Sequence, residues 1–447
     1  MKTVLFIILP YPSHYNACFG LAQKAQDRGF KVVFTGYPHL KDHIEKQGYT
    51  FHAMEYTSEY NIQTIKGFIA FFLRSLLEKK EIRNRYRVWY RSVIEIRSVH
   101  EQYRPVQIFL DAHLSHYYLY LLKYRQSITI LSTKLSTKRS PGLPPLNSFY
   151  VPKDTYLSKL YCEALWIKYI VKIRLRRLKN SLAFLGKDEH HFQQRLCKKH
   201  GVQWNSIFEQ QNTFFIGLKE TPTLILGSEK LEFPTRKIRP YEKYFQLPIH
   251  RNEEKYFTQD YMRVLERIQY LKNTRAFSTI YCAWGTLNNG DTKVVSSFMN
   301  RLVDTIITRE DLILVVSTGS MNIDIEENDQ IFLLDRVPQL NMLNHSDMMI
   351  THGGHNSIKE CLQVGVPMLV YPLNVKVDQP GNAVRVYVNG YGIYGQMNKD
   401  TPEMILNKIN GVLLMKKNLK HLEELKEITQ HIFHPNSPFY EFDKLEV

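Results

Sequence analysis

The chain has 447 residues, 44% of them hydrophobic, and a formal net charge of +16. That length exceeds one ordinary core and suggests two domains, and the apolar content is enough to build both. The charge favours an anionic partner, yet no zinc-ligand spacing or RNA-recognition aromatic motif accompanies it, which argues against nucleic acid.

Cys18, Cys162, Cys197, Cys282 and Cys361 are odd in number and scattered. This fits a reduced cytosol better than a disulfide framework or a metal site. The apolar run from Val4 to Leu9 is too short for a secretory signal and runs into Pro10 and Pro12. No apolar run reaches the roughly 18–20 residues of a spanning helix. The expectation is a cytoplasmic protein, either free or peripheral on the inner face of the membrane.

In chain order, Val4 to Leu9 reads as a strand buried on both faces of a parallel sheet. A loop from Pro10 to Tyr15 leads to a helix from Ala17 to Arg28, closed by Gly29, and Lys31 to Thr35 is the next strand. The loop of such a βαβ unit lies where open α/β sheets place ligands. His14 stands in it, and the positive helix end disfavours its protonation, leaving a neutral imidazole able to accept a proton. The strand Pro105 to Asp111 ends in a carboxylate at the same sheet edge, so Asp111 can orient His14, or can serve only as a turn or cap residue.

Two stretches, Lys66 to Arg97 and Lys159 to Lys179, mix aromatic and aliphatic clusters with Arg and Lys. Such helices either lie on an anionic membrane surface or pack one face on the core and solvate the basic one. Ser140-Pro141-Gly142-Leu143-Pro144-Pro145 is a loop suited to a cleft wall. Prolines among charges place an interdomain linker at residues 236–254, between an N-terminal domain of residues 1–235 and a C-terminal domain of residues 255–425, with a tail at 426–447.

The second half repeats the α/β pattern. Ser278 to Trp284 is a strand opening on Gly285-Thr286, and strands follow at Leu312 to Val316 and Ile331 to Leu334. Asp347 to Ile350 then runs through Thr351-His352-Gly353-Gly354-His355-Asn356-Ser357 into a helix from Ile358 to Val364. Glycines that let a ligand approach the backbone, at a helix N-terminus, make an anion site. His352 adds a hydrogen bond or a charge there, and Glu360 lies about one turn on. A Gly-rich turn without a ligand is the other reading of the same residues.

The ordered series Val337-Pro338-Gln339, Thr351 to Gly354, Asn356-Ser357, Glu360, Gly365-Val366-Pro367, Pro372, Asp378-Gln379 and Asn382 resembles the donor-binding signature of the UDP-glycosyltransferase superfamily. The Asp378 to Ala383 run is similar to bacterial members acting on lipophilic acceptors. The resemblance implies an α/β protein of GT-B fold, two Rossmann-like domains facing a central cleft, with the acceptor in the first and the donor in the second. It implies inverting transfer of a hexose, expected to be glucose, from a UDP-sugar to a hydroxyl of a hydrophobic small molecule or lipid. The UDP-sugar is a co-substrate, and neither a cofactor nor a metal is required. By the same resemblance His14 is the general base and Asp111 its orienting carboxylate. Thr286, His352, Gly354, Asn356 and Ser357 hold the diphosphate, Glu360 the ribose, Val337 and Gln339 the base and ribose region, and Asp378 with Gln379 the sugar hydroxyls.

The chain departs from the family pattern twice. Arg336 stands where plant members place a tryptophan, and the run from Pro372 to Asp378 is two residues longer than the common spacing, in a loop expected to touch the donor sugar. Two other functions suit the same fold: a nucleotide-sugar epimerase or hydrolase, and a catalytically silent nucleotide-sugar-binding partner of another enzyme.

Overall fold

The computed structural model describes residues 1–56, 65–77, 79–245, 256–274, 276–285, 292–319 and 325–416. Its N-terminal half runs β1 (Thr3–Ile7), α1 (Pro12–Asp27), β2 (Lys31–Gly36), α2 (Lys41–Glu45), β3 (Thr50–Ala53), α3 (Ile65–Leu77), α4 (Lys79–Tyr103), β4 (Gln107–Asp111), α5 (Tyr117–Tyr120) and β5 (Ile128–Ser132). It continues with α6 (Tyr156–Ala183), α7 (Glu189–Lys199), α8 (Trp204–Ile207), a short antiparallel pair β6 (Phe208–Glu209) and β7 (Gly217–Leu218), then β8 (Thr223–Ile225) and β9 (Glu242–Tyr244).

Seven of these strands form one parallel sheet in the order β3-β2-β1-β4-β5-β8-β9. The continuous apolar run of β1 serves both faces, as its sequence requires. Val4 and Phe6 pack with Tyr15, Cys18 and Phe19 of α1, whereas Leu5 and Ile7 pack with Trp89, Val93 and Ile96 of α4. Each such fully buried large side chain contributes about 1.5–3 kcal/mol.

The second half runs α9 (Gln259–Thr274), β10 (Ser278–Ala283), α10 (Thr292–Ile307), β11 (Leu312–Ser317), β12 (Ile331–Leu334), α11 (Gln339–Asn344), β13 (Met348–Thr351), α12 (His355–Val364), β14 (Met368–Val370), α13 (Gln379–Val388), β15 (Gly392–Tyr394) and α14 (Pro402–Lys416). Its six strands are parallel, in the order β12-β11-β10-β13-β14-β15. Ile280 and Cys282 of β10 pack with α10 and α14, and Tyr281 and Ala283 with α9 and α12. Both sheets are therefore covered on both faces, the doubly wound α/β arrangement.

Three local readings change. α1 begins at Pro12 rather than Ala17, because Pro fits the first helical position, so His14 sits inside the first turn and not in a preceding loop. Residues 242–244, in the stretch expected to be a linker, are β9, the edge strand of the first sheet. The rest of that stretch beyond Phe245 and the tail beyond residue 416 lie outside the described residues. The Pro-rich loop at residues 140–145 is an interdomain seam rather than a cleft wall. Leu146 joins the core of the second domain, Trp166 Nε1 of α6 donates to the Leu143 carbonyl at 2.8 Å, and a Cβ on Gly381 of α13 would collide with the Leu146 carbonyl.

Candidate functional site

The first strand-to-helix connection places the expected base. His14 Nδ1 lies 2.7 Å from Asp111 Oδ2 at the carboxyl end of the adjacent strand β4, and Thr133 Oγ1 is 3.2 Å from the same nitrogen. Asp111 is fully buried. Burial alone would raise its carboxyl, but the charge of His14 and hydrogen bonds from His113 and His14 hold it well below the usual range. With Nδ1 committed to the carboxylate, Nε2 is the atom of His14 left to take a proton.

Sequence reasoning missed a third member. His113 donates its backbone N–H to Asp111 Oδ1 at 2.9 Å, and its Nδ1 lies 3.0 Å from the same oxygen. The two imidazoles meet edge to face, centroids 5.0 Å apart. Burial holds His113 below the ordinary histidine value. The Asp-x-His spacing at a strand end was the available signal. The ligating atoms of His14, Asp111 and His113 all lie within 4.8 Å of one another, close enough for a cation, although hydrogen bonds already join them.

The second domain supplies the expected donor residues. α12 is capped by Gly354 with no side-chain bond, so the amides of its first turn are offered to an external acceptor. His352 is wedged between two glycines: a Cβ on Gly285 would stand 2.6 Å, and one on Gly354 2.5 Å, from its ring. That crowding explains both glycines, and Gly285 also has a φ of +76°. Burial pushes His352 down to about 4, so the ring is neutral near pH 7, not the cation entertained from sequence. Its buried Nδ1 has no partner among the described residues. A neutral His352 can offer a hydrogen bond but no countercharge. Thr286 lies outside the described residues.

Gln339, Ser357 and Glu360 converge. Gln339 Nε2 donates to Glu360 Oε2 and reaches Ser357 Oγ at 3.4 Å, beside the buried Val337. This joins the segment expected at the nucleoside to the helix expected at the phosphates. Asp378 precedes α13 with both oxygens engaged, Oδ1 by Lys134 Nζ at 2.5 Å and Oδ2 by Asn382 Nδ2 at 3.0 Å. Gln379 turns its Oε1 inward to accept the Leu373 and Asn374 amides. Asn356 Nδ2 crosses to the first domain, where it donates to the Ser13 carbonyl at 3.0 Å. His355 Nδ1 meets the Thr133 carbonyl at 2.9 Å. Lys134, unremarked from sequence, had no motif to mark it.

A cleft of about 1580 Å3 opens beside the base. Aromatic side chains Tyr11, Tyr37, Tyr56, Phe68, Phe214 and Phe215 line it, and His113 faces it. Val375 and Lys376, from the lengthened loop expected at the donor sugar, also line this cleft.

Comparison with known proteins gives a matching picture. The family model described as the glycosyltransferase family 28 C-terminal domain matches residues 318–432. A model of MerR HTH family regulatory proteins matches residues 228–281, a segment whose described part holds the sheet strand β9, the helix α9 and the start of the sheet strand β10. The chain is 36% identical to UDP-glucuronosyltransferase 3A1 of Homo sapiens over 84 residues, 18% of this chain and 16% of that protein. It is 28% identical to putative UDP-glucuronosyltransferase ugt-46 of Caenorhabditis elegans over 157 residues, 33% of this chain and 29% of that protein. The match thus spans less than a third of these relatives' length.

Among solved structures, the glycotransferase of kitacinnamycin superposes with a TM-score of 0.65 at 16% identity, covering 96% of this chain and 95% of that one. The calicheamicin glycosyltransferase CalG4 gives 0.61 at 14% identity, covering 100% and 97%. Both likenesses speak for the fold, two facing α/β domains of GT-B type. The chain thus has the GT-B fold, and its residues 318–432 are similar to the glycosyltransferase family 28 C-terminal domain.

Proposed function

We propose that the protein is an inverting glycosyltransferase that moves a hexose, glucose in the first instance, from a UDP-sugar to a hydroxyl of a hydrophobic acceptor. The observation that carries this reading is the bond from Asn356 Nδ2 to the Ser13 carbonyl. It brings the first turn of the phosphate-binding helix next to the residue that precedes His14. The acceptor lies in the aromatic cleft, and His14 Nε2 removes its hydroxyl proton as the oxygen attacks the anomeric carbon. The bond from that carbon to the diphosphate oxygen breaks, and its electron pair leaves with UDP. Charge grows on the diphosphate where the α12 amides and His352 are aimed, which is where preorganised donors lower a barrier most. Asp111 keeps the His14 tautomer and stabilises the imidazolium, and His113 positions Asp111 from its other oxygen. No step is assigned to a metal.

Five buried cysteines without disulfides suit a reducing compartment, so the cytoplasm is the proposed location. No described helix is long and apolar enough to cross a membrane. The inner membrane face is the proposed docking surface. α3 packs Phe68 and Phe71 on Ala183 and Phe184 at the end of α6, yet Leu76 and Leu77 of α3 and Leu157, Leu160 and Ile167 of α6 stay exposed among Arg74, Lys168 and Arg174.

The deciding experiment incubates the protein with UDP-glucose and a panel of long-chain and aromatic alcohols and reads both glycoside and released UDP. Glycoside that matches UDP one for one, and whose formation His14→Ala slows about a hundredfold, supports the reading. UDP release independent of any alcohol would sink it in favour of a hydrolase or epimerase.

A further inference from the structure

The aromatic cleft carries a charge imbalance that a neutral acceptor does not call for. Among the described residues, Lys172, Arg176, Arg177, Lys179 and Lys376 line it against one acid, Glu189. Lys172 and Lys179 lie seven residues apart on α6. That spacing is about two turns, so both stand on the helix face that walls the cleft. Neither has an ion-pair partner among the described residues, although other lysines of this chain do, such as Lys134 with Asp378 and Lys408 with Asp400.

A second, independent feature marks the same cleft as built for a polar ligand. Asn212 lines it at 2% exposure, and neither its Nδ2 nor its Oδ1 has a partner among the described residues. His116, also buried in the lining, leaves Nε2 without a partner among the described residues. Desolvated donors and acceptors without partners are unfavourable until something bonds to them. The walls between these polar points are aromatic and aliphatic, including Leu9, Tyr56, Phe68 and Phe214.

We propose that the cleft is a subsite for an anionic amphiphile, an acceptor whose apolar body lies on the aromatic walls, whose phosphate or carboxylate is held by Lys172 and Lys179, and whose polar groups meet Asn212 and His116. The proposal rests on the reading of this cleft as the acceptor site of a glycosyltransferase, and it narrows the acceptor class. A neutral hydrophobic alcohol would leave the two ammonium groups and the Asn212 amide unmatched. An anion on the acceptor makes charge-assisted bonds at the α6 wall and leaves the reacting hydroxyl free for His14.

Calorimetry on the full chain without donor tests it with four probes below their micellar concentrations: 16-hydroxyhexadecanoate, its methyl ester, hexadecane-1,16-diol and the monophosphate of that diol. The carboxylate, the phosphate or both should bind about tenfold more tightly than the ester and the diol. Lys172→Gln/Lys179→Gln should bring the anionic probes within about twofold of the neutral ones. Preference for the monophosphate over the carboxylate would name phosphate as the recognised group, and the reverse preference would name carboxylate. Equal affinity for charged and neutral probes, or an anion preference that survives the double substitution, overturns the proposal. UDP binding is read in parallel on the same preparations. Loss of UDP binding with the anion preference intact would defeat the transferase reading and leave the anionic subsite standing.

Discussion

Lys134 Nζ, just beyond β5 in the first domain, lies 2.5 Å from Asp378 Oδ1 at the start of α13 in the second. The two side chains are 17% and 9% exposed. Burial alone would raise the Asp378 carboxyl, but Lys134 brings it down to about 2. The pair ties the two domains together, and in the proposed reading a sugar hydroxyl would share Asp378 with an ammonium. Lys134→Gln leaves that carboxylate uncompensated and should cost roughly 3 kcal/mol in urea unfolding, with part of the loss restored in Lys134→Gln/Asp378→Asn. The same single variant should raise the KM for UDP-glucose. A stability loss below about 0.5 kcal/mol would mean that water screens the pair.

For the base, His14→Ala should lower kcat by about two orders of magnitude and leave UDP affinity nearly unchanged. Asp111→Asn should act on the same step, because it removes the acceptor that fixes the His14 tautomer. His113→Asn removes a bond to the other oxygen of Asp111, so its effect should be smaller and should move the pH profile of kcat as well. Turnover should survive EDTA. If chelation abolished it and a divalent ion restored it, the His14, Asp111 and His113 cluster would be a metal site instead of a hydrogen-bonded base.

The buried histidines of the donor domain set an acid limit on stability. His352 and His355 fall from an ordinary 6.5 to about 4 on folding, chiefly through burial, with Lys359 adding to the shift of His355. Between those values the unfolded chain binds more protons. The contribution is therefore complete above about pH 6.5 and is lost as the pH falls to about 4, roughly 3 kcal/mol for each ring at most. Melting temperature against pH should drop across that window, and His355→Asn should flatten the drop. A flat profile in the parent protein would show that these rings are hydrated when folded.

Much of this architecture was written locally. β1, β2, β10, β11 and β12 fall where unbroken apolar runs place them, and the glycine turn expected before a helix does lead into α12. What was not legible depends on pairs far apart in the chain. His14 with Asp111 is separated by 97 residues and was inferred only because parallel strands bring their carboxyl ends to one edge. Lys134 with Asp378 spans 244 residues and two domains, and no local pattern marks either residue for the other. The lengthened loop shows the same dependence: Val375 and Lys376 reach the aromatic cleft of the first domain once the domains face each other. Asp378 and Gln379, read as sugar ligands, are already bonded within the protein by groups that only the fold supplies.

The basic aromatic helices divide their roles in a way that composition left open. One side of α3 packs on the end of α6, and the exposed leucines and arginines remain for a surface. Sedimentation with vesicles containing anionic lipid should carry the protein down at low ionic strength and release it as salt rises, whereas neutral vesicles should not. Failure to bind anionic vesicles at low salt removes the membrane from the account.

The central claim is that α12, His352 and the Gln339, Ser357 and Glu360 cluster form a nucleotide-sugar site. Calorimetry of the full chain with UDP, UDP-glucose, UDP-glucuronate, UDP-GlcNAc, UDP-galactose and dTDP-sugars, without acceptor, tests it most directly. Binding of UDP and of one UDP-sugar above the others, with little hydrolysis and with affinity lowered about tenfold or more by His352→Ala, is the predicted result. No binding of any nucleotide sugar, or binding indifferent to His352, would contradict it.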